Sequence, residues 1–263
     1  MSITIEVRRA DGYIRAARRA EDYAWLCFRG AYEPGDSIRV RVPEPGRTLR
    51  VSADECLREA EVHLSGTEFE FRVPFGGAAL GYCPKAFLGE EHLITARFAL
   101  PSELACVRNV AENPLDQRFE NGCYPHVTSN AETRGEDVFA ARNVADGCAA
   151  NTSHGAWPYL TWGDNENPLA QVDVRFGRPV ELSGALVFLR ADFPHDNWWR
   201  EATLALSGDR SLRLSLRKTG EGQRFSFPPV VTEHVIFRGL VRDPDDPSPF
   251  PALAQLMLFG RDV

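Results

Sequence analysis

Lysine is almost missing from this 263-residue chain: Lys85 and Lys218 are the only two, so nearly all of its 30 basic side chains are guanidinium. Guanidinium suits fixed bidentate contacts, although a biased genomic composition leaves the same mark. An excess of positive charge is missing too. The formal net charge of −7 opposes the electrostatic footprint of a protein that grips nucleic acid through phosphates, so no nucleic-acid partner is expected. No apolar run approaches the ~20 residues that a membrane-spanning helix needs. The start, MSITIEVRRADGYIRAARRAEDY, lacks an apolar signal core. The cysteines, Cys27, Cys56, Cys83, Cys106, Cys123 and Cys148, never form a C-x-x-C pair. Their even number permits disulfides, but without an export signal they are expected as reduced thiols, several of them buried, in a cytoplasmic protein. On that expectation the sequon at Asn151 has no consequence. Nucleophile elbow, P-loop, dinucleotide fingerprint and H-E-x-x-H helix are all absent, and His63, His92, His126, His154 and His234 are dispersed. A zinc cluster would depend on tertiary convergence.

What is present is strand pattern. Alternation runs through SITIEV, SIRVRV, EVHLS, FEFRV and HLITARFAL, with turn chemistry in EPGD, PEPG and FGG between them. Short strands at this spacing without long amphipathic helices predict a β-sandwich over roughly residues 1–105. Residues 106–130, rich in Asn, Pro and Gly, read as a connector whose Phe119, Tyr124 and His126 pack on something. TRGE then offers a capping box, Thr133 as N-cap and Glu136 three residues on, which predicts a short helix ending near Asp146-Gly147. Strand pattern returns in QVDVRF, ALVFLRA, ATLALS, LRLSLR, RFSF, HVIFRGL and LAQLMLFG, so a second all-β domain is expected over residues 131–263. The length suits two modest cores.

The order ARNVADG, Trp157 and Trp162, AQVDVRFGRPVELSGALVFL and PALAQLMLFG resembles the discoidin, or coagulation factor 5/8 C-terminal-type, galactose-binding-like domain over about residues 137–263. The N-terminal part resembles no family. The resemblance implies an eight-stranded jelly roll whose loops at one end bind a glycan, a phospholipid or a protein, and binding rather than catalysis. It also implies a structural calcium, with Asp146 at the first ligand position. At the matching late position stands Gln255, a neutral oxygen donor weaker toward a hard cation than a carboxylate. The other reading of Asp146-Gly147 is a plain turn.

The residues read the same way in part. Val172, Val174 and Phe176 alternate inward, while the tryptophans flank turn signals. A sugar offers an apolar face and a rim of hydroxyls, so its site needs an aromatic platform ringed by planar polar groups. Trp157, Arg190, Asp192, His195, Asp196, Trp198 and Trp199 are the candidates, with Asn197 beside them. Adjacent strand residues face opposite ways, so one of Trp198 and Trp199 is expected in the core. Arg190 and Asp192 share a face and suit an internal ion pair as well as a ligand contact. The leading expectation is a non-catalytic protein that binds an oligosaccharide. One rival is a glycan hydrolase or lyase with a site between the domains, drawing on His126, Glu132, Arg134 and the 190–200 loop. Another is an oligomeric scaffold that uses the aromatic loops for protein contacts.

Overall fold

In a computed structural model describing residues 1–263, the N-terminal strands are β1 (Ser2–Arg8), β2 (Ile14–Glu21), β3 (Tyr23–Arg29), β4 (Ser37–Arg41), β5 (Arg47–Ser52), β6 (Ala60–Leu64), β7 (Glu68–Arg72) and β8 (Glu91–Phe98). Alternation drives their packing: Ile3, Ile5 and Val7 of β1 are buried with Ile38 and Val40 of β4 and Phe69 and Phe71 of β7. One sheet has the order β2-β1-β4-β7, and β6-β5-β8-β3 form the other. Leu49, Val62, Leu26 and Ile94 close the same core from the second sheet. This is a β-sandwich. The edge strand β2 is mostly exposed and carries Arg15, Arg18 and Arg19, charges that blunt an open edge.

The connector is woven into both halves. Its β9 (Arg108–Asn109) pairs with the last strand, β10 (Cys123–Tyr124) pairs with β6, and β11 (His126–Ser129) pairs with β13 (Val172–Leu189). Leu115 and Cys123 belong to the N-terminal core, Val110 and Val127 to the C-terminal one. A chain starting at residue 131 would lose both β9 and β11. Across the seam the buried Arg142 donates to the carbonyls of Gly81 at 3.0 Å, Asp116 at 2.6 Å and Pro114 at 3.3 Å, and its guanidinium lies 4.3 Å from the Tyr82 ring centre. Arg108 pairs with Glu61 of β6 and with Asp262, which Arg178 also grips at 2.7 Å.

The C-terminal half comprises β12 (Trp162–Gly163), β13 (Val172–Leu189), β14 (Trp199–Leu206), β15 (Ser211–Ser215), β16 (Gln223–Arg242) and β17 (Ala252–Asp262). With β9 and β11 they make an eight-stranded antiparallel jelly roll of order β12-β17-β13-β16-β14-β15. QVDVRF and ALVFLRA are one strand rather than two. It bends through register shifts between Arg175 and Val180 and between Leu182 and Gly184, as bulges do. Gly177, at φ +67°, is required there because a Cβ would lie 2.5 Å from the Tyr124 ring. Trp162 and Trp199 stack in the core, 5.8 Å apart.

Two expectations are corrected. The helix after Thr133 is absent: the segment forms three short 3-10 turns, Thr133–Gly135, Asp137–Phe139 and Ala141–Ala145. Arg134 and Gly135 take positive φ, which ends any α-turn there, and Glu136 pairs with Arg134 instead of capping. Ala141, Val144 and Ala145 are buried alongside Arg142 and Asn143, so no solvent face remains for an amphipathic helix. The thiols are all unpaired, but Cys123 alone is buried; Cys27, Cys56 and Cys106 are exposed. No helix is long and apolar enough to cross a membrane.

Candidate functional site

Where β13 ends, the backbone turns sharply and a buried ion pair fixes the turn. Arg190 donates through Nε to Asp196 Oδ1 at 2.8 Å, and Nη2 bonds the same oxygen. Asp196 Oδ2 accepts the Asp192 N–H at 2.7 Å, and the Asp196 N–H donates to the Asp192 carbonyl at 3.1 Å. The expected Arg190–Asp192 pair is therefore replaced by Arg190–Asp196, because the chain leaves the strand before Asp192. Asp196 is wholly buried and supports the site from behind instead of lining it.

Asp192 faces outward to another partner, His154, whose Nδ1 lies 2.5 Å from Asp192 Oδ2. The His195 ring stacks on His154 at 4.4 Å and on Phe250 at 5.6 Å, with interplanar angles of 19° and 17°. These rings and Arg190 line a cavity of about 270 Å³, completed by Arg134, Phe139, Asp164 and Glu166. Phe250, in the proline-rich loop before β17, is 42% exposed. Asp164 is pushed up to about 6 by burial, against the Glu166 N–H that donates to it at 3.0 Å. The cavity thus combines an open aromatic face with two guanidinium groups, two carboxyls and two imidazoles.

None of Trp157, Trp198 and Trp199 lines this cavity. Trp199 is fully buried in the core and no ligand reaches it, a correction that follows from its inward-facing strand position. Trp198 packs half-buried against the core, its indole N–H held by Asp243 at 2.9 Å. Asn197 is buried and its amide donates to the carbonyls of Asp243, Asp246 and Ser248, tying down the neighbouring loop. Trp157 is 39% exposed but lines a different hollow of about 370 Å³ between the two halves, with Arg58, Cys83, Arg142 and Cys148. Trp157 and His195 therefore do not converge. The rival set also separates. His126 is buried against Asp116 at 2.7 Å, and Glu132 accepts the Ala141 N–H at 2.7 Å and pairs with Arg118, while Arg134 reaches the cavity with Arg190 and His195 of the 190–200 loop. Sequence reading missed His154, Asp164, Glu166 and Phe250 as site residues.

Asp146 and Gln255 do meet, but not as calcium ligands. Gln255 Nε2 donates to Asp146 Oδ1 at 2.6 Å and to the Asn143 carbonyl at 2.5 Å, and its Oε1 accepts the Gly147 N–H at 3.2 Å. Calcium takes six to eight oxygens at about 2.3–2.6 Å. Here an amide nitrogen lies between two of the oxygens such an ion needs, and the donor set does not fit it. Millimolar calcium or a chelator is accordingly expected to leave the wild-type Tm unchanged. Gln255→Glu, which turns the amide into a carboxylate, is expected to gain about 2–3 kcal/mol on adding calcium at a hundredfold excess over its Kd. A calcium-dependent Tm in the wild type would reverse this assignment.

No family model matches the chain, and no curated protein does. Solved structures similar to it include the V110M mutant of chitosan-binding module 1 of a chitosanase/glucanase from Paenibacillus sp. IK-5, at 15% identity, TM-score 0.41, over 59% of this chain and all of that one. The family 32 carbohydrate-binding module of Clostridium perfringens NanJ, in complex with galactose, is similar at 13% identity and TM-score 0.38, over 51% of this chain and 91% of that one. A Streptococcus pneumoniae fucose-binding module is similar at 13% identity and TM-score 0.41, over 57% of this chain and 96% of that one. Each is a carbohydrate-binding module.

Proposed function

We propose that the chain binds a small carbohydrate in the cavity bordered by Phe250, His195 and Arg190. The observation that carries this reading is the meeting, in one hollow, of an exposed aromatic face with charged planar groups held from behind by buried partners. A sugar ring lays its C–H face on an aromatic side chain and offers its hydroxyls to groups in the ring plane. Phe250 supplies the first contact. Arg134 and Arg190 donate to hydroxyl oxygens, and Asp164 and Glu166 accept from hydroxyl hydrogens. The volume, about 270 Å³, is below the usual range for drug-sized ligands, about 300–1,000 Å³, so the ligand is one or two rings, not a long chain.

Titration calorimetry against mono- and disaccharides tests the reading. Phe250→Ala is expected to weaken binding by about 1–3 kcal/mol, the scale of burying one large apolar side chain. Trp157→Ala should leave it unchanged, because Trp157 lines the other hollow. Equal affinity in wild type and Phe250→Ala would remove the platform, and no binding across the panel would remove the function. Product analysis of the same mixtures checks the enzymatic rival, for which the carboxyl of Asp164, raised to about 6 by burial, is a candidate acid on the cavity wall.

A further inference from the structure

The cluster His154, Asp192 and His195 has a geometry that hydrogen bonding between the three does not exhaust. One nitrogen from each imidazole and one oxygen of Asp192 lie within 4.8 Å of one another. Tetrahedral zinc with bonds of about 2.0–2.2 Å holds its ligand atoms roughly 3.3–3.6 Å apart. Side-chain adjustment of the order of an ångström on two surface loops therefore brings all three onto one ion. We propose that these residues form a binding site for a divalent transition metal of the zinc type, with its fourth position open toward the cavity.

Three further features support it. Asp196 Oδ1 lies 3.1 Å from His195 Nδ1. A proton on that nitrogen leaves Nε2 with its lone pair free, the carboxylate–histidine arrangement that orients imidazole ligands of zinc. Asp196 is itself fixed by Arg190 and by the Asp192 N–H, so the support is rigid before any ion arrives. The donor set of two imidazoles and one carboxylate is too rich in nitrogen for calcium or magnesium and suits zinc, cobalt, nickel or copper. The other acid–histidine cluster, Asp54, Glu55 and His92, lacks this readiness: both oxygens of Asp54 already accept backbone N–H groups, from Cys56 and Phe87 at 2.8 Å.

The site shares His154 and His195 with the proposed sugar cavity, but its test does not depend on sugar binding. Cobalt(II) is titrated into the whole protein by absorption spectroscopy, and zinc is then used to displace it. One ion per chain is expected, with d–d bands of a nitrogen–oxygen site and without the intense near-ultraviolet band of a thiolate. His154→Gln and His195→Gln should each lower affinity by tenfold or more, while Glu55→Gln leaves it unchanged. Melting curves verify that the variants are folded, and because both histidines sit on surface loops, either can be judged alone. Absence of saturable binding would overturn the proposal. So would a thiolate band with affinity unaltered in both histidine variants, which would assign the ion to the cysteines. Sugar titration with and without zinc separates the two readings: sugar binding in metal-free protein that fails to bind cobalt keeps the first and discards the second.

Discussion

Asp196→Ala is expected to cost about 3–5 kcal/mol of folding free energy, the range for a buried pair that loses one partner. Asp196 is fully buried and serves Arg190, the Asp192 N–H and His195 at once. Its removal leaves the Arg190 guanidinium buried without a counter-charge and frees the turn that carries His195. The double variant Arg190→Met, Asp196→Ala should recover much of the loss, since an apolar replacement for a buried pair is often close to neutral. Sugar affinity should fall in both, because the cavity wall depends on Arg190. Denaturant unfolding of the two variants decides it: a double variant as unstable as the single one would show that the ion pair is not the source of the cost.

That turn also shows where sequence reading ran out. The sandwich and the jelly roll were legible because inward positions alternate wherever one sheet face is solvated, as Ile3, Ile5 and Val7 do. β2 was invisible: its outward edge position leaves no apolar period in IRAARRAE. β3 was hidden for the opposite reason, since Tyr23, Trp25 and Cys27 put apolar groups outside as well. Pro179 and the pair Pro228-Pro229 lie within β13 and β16, at or near positions where the register shifts and the ladder needs no donor.

For the site, the sequence offers the stretch Arg190–Asp196 as a candidate, but its internal partners differ from the expected ones: Arg190 pairs with Asp196 and Asp192 with His154. Whether Arg190 faces Asp192 or Asp196 depends on where β13 ends, and periodicity cannot fix that within a few residues. His154 and Phe250 come from loops 36 and 60 residues away from Arg190 in sequence. Their only local signal was an aromatic residue in a proline-rich loop, DPSPFPA, where an apolar side chain has no strand face to bury it. The tryptophans attracted attention by size, but size is what fills a core. In the sequence Gln255 stands only as a weak cation ligand; its donor side, which bridges Asp146 and Asn143, is set by tertiary contacts that spacing does not encode.

Asp146 sets a large expected dependence on pH. Burial pushes its carboxyl up to about 7, against the charge of Arg142, the Cys148 N–H and the Gln255 amide, all of which favour the ionised form. A folded-state value above the unfolded one, ordinarily 3.8, means that the native protein holds this proton more tightly than the unfolded chain. Its stabilising share is therefore complete below about pH 4 and is lost as pH rises to about 7. With about 1.4 kcal/mol for each tenfold change in proton affinity, the loss is on the order of 4 kcal/mol. Asp164, raised to about 6 by burial, adds the same sign over a narrower window. His63, lowered by burial to about 4, acts in the opposite sense, its contribution being lost as pH falls from 6.5 toward 4. Comparing each variant with the wild type at the same pH cancels that background. Asp146→Asn keeps an oxygen to accept from Gln255 and Cys148 but has no proton to lose. Relative to the wild type it should become steadily more stable between pH 4 and pH 8, by a total on the order of 4 kcal/mol, whatever its offset at pH 4. Denaturant midpoints across that range measure the change. Parallel pH profiles for the two proteins would show that Asp146 is no more easily protonated in the fold than in the unfolded chain.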